Sequence, residues 1–457
     1  ALVENNKAYA VATDIELQKL TGLSSNGTWK YCERTNGTYL DCPIGSMDLK
    51  EGDSVSIAVH NPSTLDMKVS HFAVPHGHFN LQYYNASISQ YIDVWRQDVL
   101  CNDDKAFNRS AMKSCQFYFQ DAFTPSLRQG SVSLYKLTYD TTINREANNT
   151  AAKLGDRLDS DNLILELGET NKYEANVNFN IIDKKFNSTN KFDFGLRYWP
   201  SYCNYLHQSS SGAYAFRPID RLHYSMTYSN FQTATFIKGS FMSKLVLYFS
   251  KENRKTGASE MEAIVHVTLD QDLDVVQFDV DLDSLPVVYL DGYEGVAHFN
   301  AHDFDNNQTF YTDSNGLEML ERKLNYRSYY DIYSHMYKYN PQNITANYYP
   351  VNSAIALKEA NGQRQFTVSN DRAQGGSSLN PVQVELMYNR RIPGDDQKGV
   401  AEFLNETDST GSGIIVPATY YVQLSNLDER PSQQRHVQQK TADPVQFMFT
   451  QAPLQKV

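Results

Sequence analysis

His298 and His302 stand four residues apart in HFNAHDFD (298–305), beside Asp303 and Asp305, and form the most metal-like cluster in the sequence. A four-residue spacing aligns two ligands on a helix, whereas the flanking residues read as strand and loop, so a polar surface loop is the expectation. His76-Gly-His78 has a pinching geometry, but Pro75 and Gly77 mark a loop tip. No His-Glu-x-x-His and no Cys-x-x-Cys occurs. SSSGAY (209–214) lacks the Gly-x-Ser-x-Gly spacing of a nucleophile elbow, and GGSSL (375–379) reads as a tight loop between strands. The acids of DLDVVQFDVDLDS (272–284) fall on the solvent side of a strand. RRIPGDDQKG (390–399) differs from these. Asp395 and Asp396 lie beside Arg390, Arg391 and Lys398 in a loop with Gly and Pro, which is either a surface salt-bridge loop or a site lining.

The elements that must position such residues are mostly strands. Val276, Phe278, Val280 and Leu282 alternate with Gln277, Asp279, Asp281 and Asp283, and Met261, Ala263, Val265, Val267 and Leu269 make a second stripe. Alternating faces suit antiparallel sheets with one wet side. SVSIAVH (54–60) and SVSLYKL (131–137) show the same period earlier in the chain. The first residues read as a helix, with Ala8, Val11 and Ile15 at i, i+3 and i+7 and Gly22 as terminator. The expected architecture is mainly β: a short N-terminal helix (the end of a helical bundle), a small β-sandwich, then a large antiparallel β-sandwich. The expected boundaries are 1–50 for helix and disulfide loop, 51–144 for the small sandwich, 145–161 for a linker and 162–457 for the large sandwich.

The chain has 457 residues, a formal charge of -12 and a pI near 5.4, which leaves no basic face for nucleic acid. No run of 18 apolar residues appears, so no membrane partner is expected. Asn-x-Ser/Thr triplets at Asn26, Asn36, Asn85, Asn108, Asn148, Asn187, Asn307, Asn343 and Asn405 favour the secretory route. The five cysteines agree: Cys32 and Cys42 close a short loop, Cys101 and Cys115 offer a second, and Cys203 is left free or bound to another chain. A chain opening inside a helix, without an initiator Met, is expected to be cut from something longer.

FYTDSNGLEMLERKLNYR (310–327), ANYYPVNS (346–353), DRAQGGSSL (371–379) and ELMYNRRIPGDDQKGV (385–400) occur in this order. Together they resemble the C-terminal half of lysosomal α-mannosidases, glycoside hydrolase family 38. SGAYAFRP (211–218) and CERTNGTYLDCPI (32–44) resemble further family segments. The family's zinc-binding His-x-Asp, its aspartate nucleophile and its His-His-Asp-Ala segment do not occur here, and Lys398 stands where many relatives have Arg.

The resemblance therefore implies the C-terminal chain of a processed, retaining exo-α-mannosidase. Nucleophile and zinc would sit on a separate N-terminal chain of the same precursor, leaving this chain no catalytic residue and no metal ligand. The implied substrates are mannose-containing oligosaccharides, and the implied compartment is the lysosome, another acidic vacuole or the exterior. Further pairing into a dimer of heterodimers is left open. Tyr214 is the first candidate for the pocket rim, against the bland reading of a buried strand tyrosine. Arg390, Arg391, Asp395 and Lys398 are second candidates. The competing readings are a stand-alone secreted carbohydrate-binding or adhesion module, stacking sugars on Trp29, Trp95 and Trp199, and a self-contained zinc hydrolase built on His298 and His302.

Overall fold

Strict alternation of apolar and polar residues builds sheets whose two faces have different fates. The computed structural model describes residues 2–34, 40–101, 115–120, 128–170, 175–201, 211–218, 227–228, 230–252, 259–285, 287, 292–326, 342–394, 400, 402–409, 411–426 and 430–456. Every pair of named strands is antiparallel among them, and the chain is mostly β as expected.

Two large sheets enclose the main core. A ten-stranded sheet includes Asn230–Lys238, Ser243–Glu252, Ser259–Asp270, Val275–Leu282 and Ala418–Asn426 in adjacent order. A nine-stranded sheet has Asn176–Asp183, Ser188–Ser201, Gly292–Ala301, Gln383–Arg391 and Gln374–Ser377 at its centre. Aromatic residues from both inner faces interlock: Phe194 stacks on Phe278 across the sandwich at 4.9 Å and meets Phe299 at 5.2 Å. The expected stripes are here, with Val276, Phe278, Val280 and Leu282 buried against Ala263, Val265, Val267 and Leu269.

The smaller sandwich packs a six-stranded sheet on the three strands Val69–Val74, Cys115–Gln120 and Arg96–Cys101. Cys101 and Cys115 are directly opposed in register and form a disulfide, as do Cys32 and Cys42. This sandwich is closed by the far end of the chain. Gln446–Thr450 pairs with Ser54–His60, and Phe447 and Phe449 each lie 5.4 Å from Phe72. A boundary at residue 161 therefore misassigns that strand, because alternation identifies a strand but not its partner. Residues 145–161, expected as a linker, hold the strands Asn148–Ala151 and Arg157–Asp159. Asn148–Ala151 sits at the edge of the ten-stranded sheet with all four residues exposed, which is why it shows no apolar period.

The opening helix spans Leu2–Thr21 and stops at Gly22, whose φ of 68° suits a residue without Cβ. Its buried face is Ala10, Thr13 and Leu17, while Ala8, Val11 and Ile15 are exposed. The period was right and the phase wrong: two apolar stripes lie side by side, and only one meets Trp29, Ala58 and Met448.

The outer face of the ten-stranded sheet is not the wet face expected of it. Leu100 and Tyr118 of the small sandwich cover Ile237, Val246 and Ile264, and Asp281 is 1% exposed. Buried Asp98 fastens this contact. Its carboxylate accepts from the backbone N–H groups of Ser240, Phe241 and Met242 at 2.8–2.9 Å and from the Ser240 hydroxyl at 2.7 Å. Asp98→Ala would strand three backbone donors, and we expect a loss of about 3 kcal/mol or more in urea unfolding. A loss below about 1 kcal/mol would show that the sandwiches do not need this fastening.

Candidate functional site

Three neighbouring strands of the nine-stranded sheet send their polar alternates outward. Asp193, Arg197 and Trp199 come from Ser188–Ser201, Glu294 and His298 from Gly292–Ala301, and Gln383 and Glu385 from Gln383–Arg391. Their intervening residues Phe194, Leu196, Ala297, Phe299, Val384 and Leu386 fill the core. Gly195 occupies an outward position because a Cβ there would lie 2.4 Å from Asn176 Oδ1. That space lets the Asn176 amide donate to Asp193 at 2.8 Å while accepting from Arg197 at 3.3 Å.

A register shift between Gly295 and Val296 re-aims the end of the third strand. With one residue extra on the Gln383–Arg391 side, Arg390 comes opposite Glu294 and joins the outer face. Arg390 Nη2 donates to Glu294 Oε1 at 2.7 Å. The same guanidinium donates to the carbonyls of Ala213 at 3.1 Å and Ala215 at 2.9 Å. Those carbonyls flank Tyr214 in a turn closed by reciprocal backbone bonds between Gly212 and Ala215, of 3.0 and 3.1 Å. Tyr214 is 54% exposed at the tip, so it is not a buried strand tyrosine. Arg391 faces the other way, donating to Leu285 O and Asn405 Oδ1, each at 2.8 Å. Tyr214 and Arg390 are thus brought together and Arg391 is not. Asp395, Lys398 and Cys203 lie outside the described residues.

Electrostatics follow burial. Glu294 is fully buried, which pushes its carboxyl up against the pull of Arg390 and the hydroxyls of Ser201 and Ser211. Glu385, also fully buried, is pushed up in the same way and accepts from Tyr348, from Trp199 at 3.2 Å and from Gln383 at 2.8 Å. His298 lies opposite Glu385 in register and is 1% exposed. Burial first, then the neighbouring Arg197, pushes its imidazole down to about 3. The polar loop expected at 298–305 is therefore half strand, because His298 alternates with core residues. His302 follows the strand end and bonds Asp193 at 2.8 Å. On a strand the two rings are separated by roughly 13 Å of backbone, too far to share one ion.

Other donor sets give the same answer. Among the described residues one trio of ligating side chains lies close together, His76 with Cys101 and Cys115, and both sulfurs are spent in the disulfide. These residues do not fit a zinc ion.

Residues 181–398 match the glycosyl hydrolases family 38 C-terminal domain. The matched stretch is just under half of the chain. The lysosomal alpha-mannosidase of Bos taurus is 33% identical over 241 residues, 52% of this chain and 22% of that protein. Its Homo sapiens counterpart is 40% identical over 141 residues, 31% of this chain and 13% of that protein. A probable alpha-mannosidase of Arabidopsis thaliana is 34% identical over 179 residues, 38% of this chain and 17% of that one. The matches thus span about a fifth of the curated relatives or less. The crystal structure of an alpha-mannosidase from Enterococcus faecalis V583 superposes with a TM-score of 0.54 at 10% identity, over 88% of this chain and 47% of that one, and shares its fold. The family 38 match contains Tyr214, Glu294, Glu385 and Arg390.

The triplets for glycan attachment mostly sit outside. Asn26, Asn148, Asn187, Asn307 and Asn405 are exposed, Asn85 is half-buried and Asn343 lies in the short helix Gln342–Thr345. Asn36 and Asn108 lie outside the described residues. Asn26, Asn187 and Asn307 also have φ near 50°, a turn conformation that by itself favours Asn. No described helix is long and apolar enough to cross a membrane.

His298 sets a pH test. Its folded value lies below the ordinary one, so its contribution is complete above about pH 6.5 and is lost as pH falls. Between pH 7 and 4.5 that loss is on the order of 2–3 kcal/mol. His298→Gln should remove it, giving a flatter urea-unfolding stability across this range. Parallel wild-type and variant curves would refute the buried neutral imidazole.

Proposed function

We propose that this chain works as the C-terminal part of a lysosomal-type α-mannosidase, a retaining exo-glycosidase that removes terminal α-mannose from N-glycan oligosaccharides. The carrying observation is Tyr214, held exposed on a turn of the family 38 domain by the buried Glu294–Arg390 pair. A phenol fixed in this way suits hydrogen bonding or ring stacking at the rim of a sugar pocket. Lysosomal relatives support an acidic compartment.

In this reading the aspartate nucleophile and the zinc ligands belong to an N-terminal chain from the same precursor, separated by proteolysis and retained by packing. Bound there, zinc supplies a Lewis acid and a template for the mannose hydroxyls. The present chain orders the pocket rim. Arg390 acts through the turn: its donors are directed at Glu294 and at two carbonyls, which makes it a positioning residue. Asp395 and Lys398 remain proposed rim residues on the family resemblance alone.

Reducing, denaturing mass analysis of natively purified protein, with zinc and aryl α-mannoside assays, tests the reading. We expect a second polypeptide in equal amount, zinc, and hydrolysis favoured by acid. Tyr214→Phe should then lower kcat/KM by about tenfold with an unchanged melting temperature. A lone polypeptide without zinc or activity would overturn the reading in favour of a stand-alone carbohydrate-binding module.

A further inference from the structure

The segment SGAYAFRP (211–218), which carries Tyr214, is held at more places than the Arg390 guanidinium. Ser211 is fully buried. Its hydroxyl oxygen accepts the Arg217 N–H at 2.7 Å and its O–H donates to the Arg217 carbonyl at 3.1 Å. Pro218 bridges to Ser201 at the end of Ser188–Ser201. These contacts close the base of the segment. Between base and tip in the sequence stands Phe216, whose ring meets Tyr348 edge to face, with centroids 4.8 Å apart and planes at 69°.

Tyr348 is itself held from two directions. Its hydroxyl donates to the fully buried Glu385. Burial first, then Glu385, pushes the phenol well above its ordinary value, so it keeps the proton it donates. Asn347, the preceding residue, is also buried and pairs reciprocally with Asn325. The Asn325 backbone N–H donates to Asn347 Oδ1 and the Asn347 amide donates to Asn325 Oδ1, each at 2.8 Å. The Asn347 carbonyl accepts from the buried Ser377 hydroxyl, again at 2.8 Å. Stretches 211–218, 310–327, 346–353 and 371–379, singled out in the sequence, thus meet in one chain of contacts.

The Tyr214 turn therefore has two supports of different kinds. Arg390 holds the carbonyls of Ala213 and Ala215, and Tyr348 holds the side chain that follows them. Hydrogen bonds fix the carbonyls, while a ring contact restrains where the next residue sits. We propose that Tyr348, acting through Phe216, is a second positioning residue for the Tyr214 turn. The part Tyr214 plays at a sugar pocket rests on the proposed function, whereas the support of the turn does not. An edge-to-face ring pair is worth roughly two- to tenfold in an opening equilibrium, which sets the size of the effects.

The test uses the purified protein with any chain it carries. Phe216→Leu removes one ring of the pair from a half-buried position, and Tyr348→Phe keeps the ring but removes its bond to Glu385. Hydrogen-exchange mass spectrometry on peptides covering 211–218 reads the turn through the Gly212 and Ala215 amides that close it. Exchange there should rise about fivefold in Phe216→Leu and roughly twofold in Tyr348→Phe. Peptides from the core strand Val275–Leu282 should stay as protected as in wild type. On an aryl α-mannoside, Phe216→Leu should lower kcat/KM about fivefold with Tyr214 present and less than about twofold in a Tyr214→Ala background, where nothing is left to position. A merely structural role would cost the same in both backgrounds. Unchanged exchange at 211–218 in both variants, or an activity loss as large without Tyr214 as with it, overturns the inference. Faster turn exchange in a protein that never hydrolyses the mannoside, or hydrolyses it undiminished, keeps the support and removes the pocket role of Tyr214.

Discussion

Glu294 is fully buried, and a carboxylate taken out of water must meet a cation and hydrogen-bond donors or give up its charge. Much of the site's geometry follows from that requirement. Arg390 can answer it because the register shift beside Gly295 turns its side chain to the same face. The guanidinium has donors beyond those used on Glu294, and they fasten the carbonyls on both sides of Tyr214. A short exposed turn would otherwise sample many backbone conformations, and ordering it costs entropy. Here that cost is met during folding.

The buried groups of this face also set an opposition in pH. Glu294, Glu385 and Asp193 have carboxyls raised mainly by burial. Their contribution to stability is complete below the ordinary carboxylate range and lost as pH rises through their folded values. His298 and His266 are lowered mainly by burial, so theirs is complete above about pH 6.5 and lost on acidification. Moving toward acid therefore relieves the carboxylates while burdening the imidazoles. Partial cancellation is a physical route by which a protein with so many buried ionisable groups tolerates an acidic medium.

Much of this was legible one strand at a time. Phe194, Leu196 and Tyr198 alternate with Gly195, Arg197 and Trp199, and Ala297 and Phe299 alternate with His298 and Asn300, so strand identity and inner face are written in the residues. What covers the other face is written elsewhere in the chain. Asp281, read as solvated, is 1% exposed and lies opposite Ile264, which packs with Leu100 and Tyr118 more than a hundred residues upstream, and His298, read as a loop residue, is buried opposite Glu385. Glu294 and Glu385 were missed for the same reason. Their signal was three successive strands carrying chemistry-bearing residues in phase, which becomes visible only when the strands are placed side by side. The family resemblance singled out Tyr214, Arg390 and Arg391 together, but the bulge that separates Arg390 from Arg391 has no local signature.

The two large sheets divide their outer faces between attachment and chemistry. On the ten-stranded sheet the polar groups are spent on neighbours: Lys440 meets Asp270 and Asp272, Asp272 takes the backbone N–H of Lys68, and Asp98 takes the turn at Ser240–Met242. These contacts tie the helix Arg430–Ala442 and the small sandwich to one scaffold. Among the described residues, the nine-stranded sheet's polar face leaves Tyr214 and Asn380 exposed at its border. Ion pairs buried on the first face can be judged by stability alone, whereas those on the second face orient groups that reach solvent. Glu294 and Glu385 each end such a chain of contacts, one running through Arg390 to Tyr214 and the other through Gln383 to Asn380. A buried acid tied through one side chain to an exposed stretch of chain is the recurring device of this face.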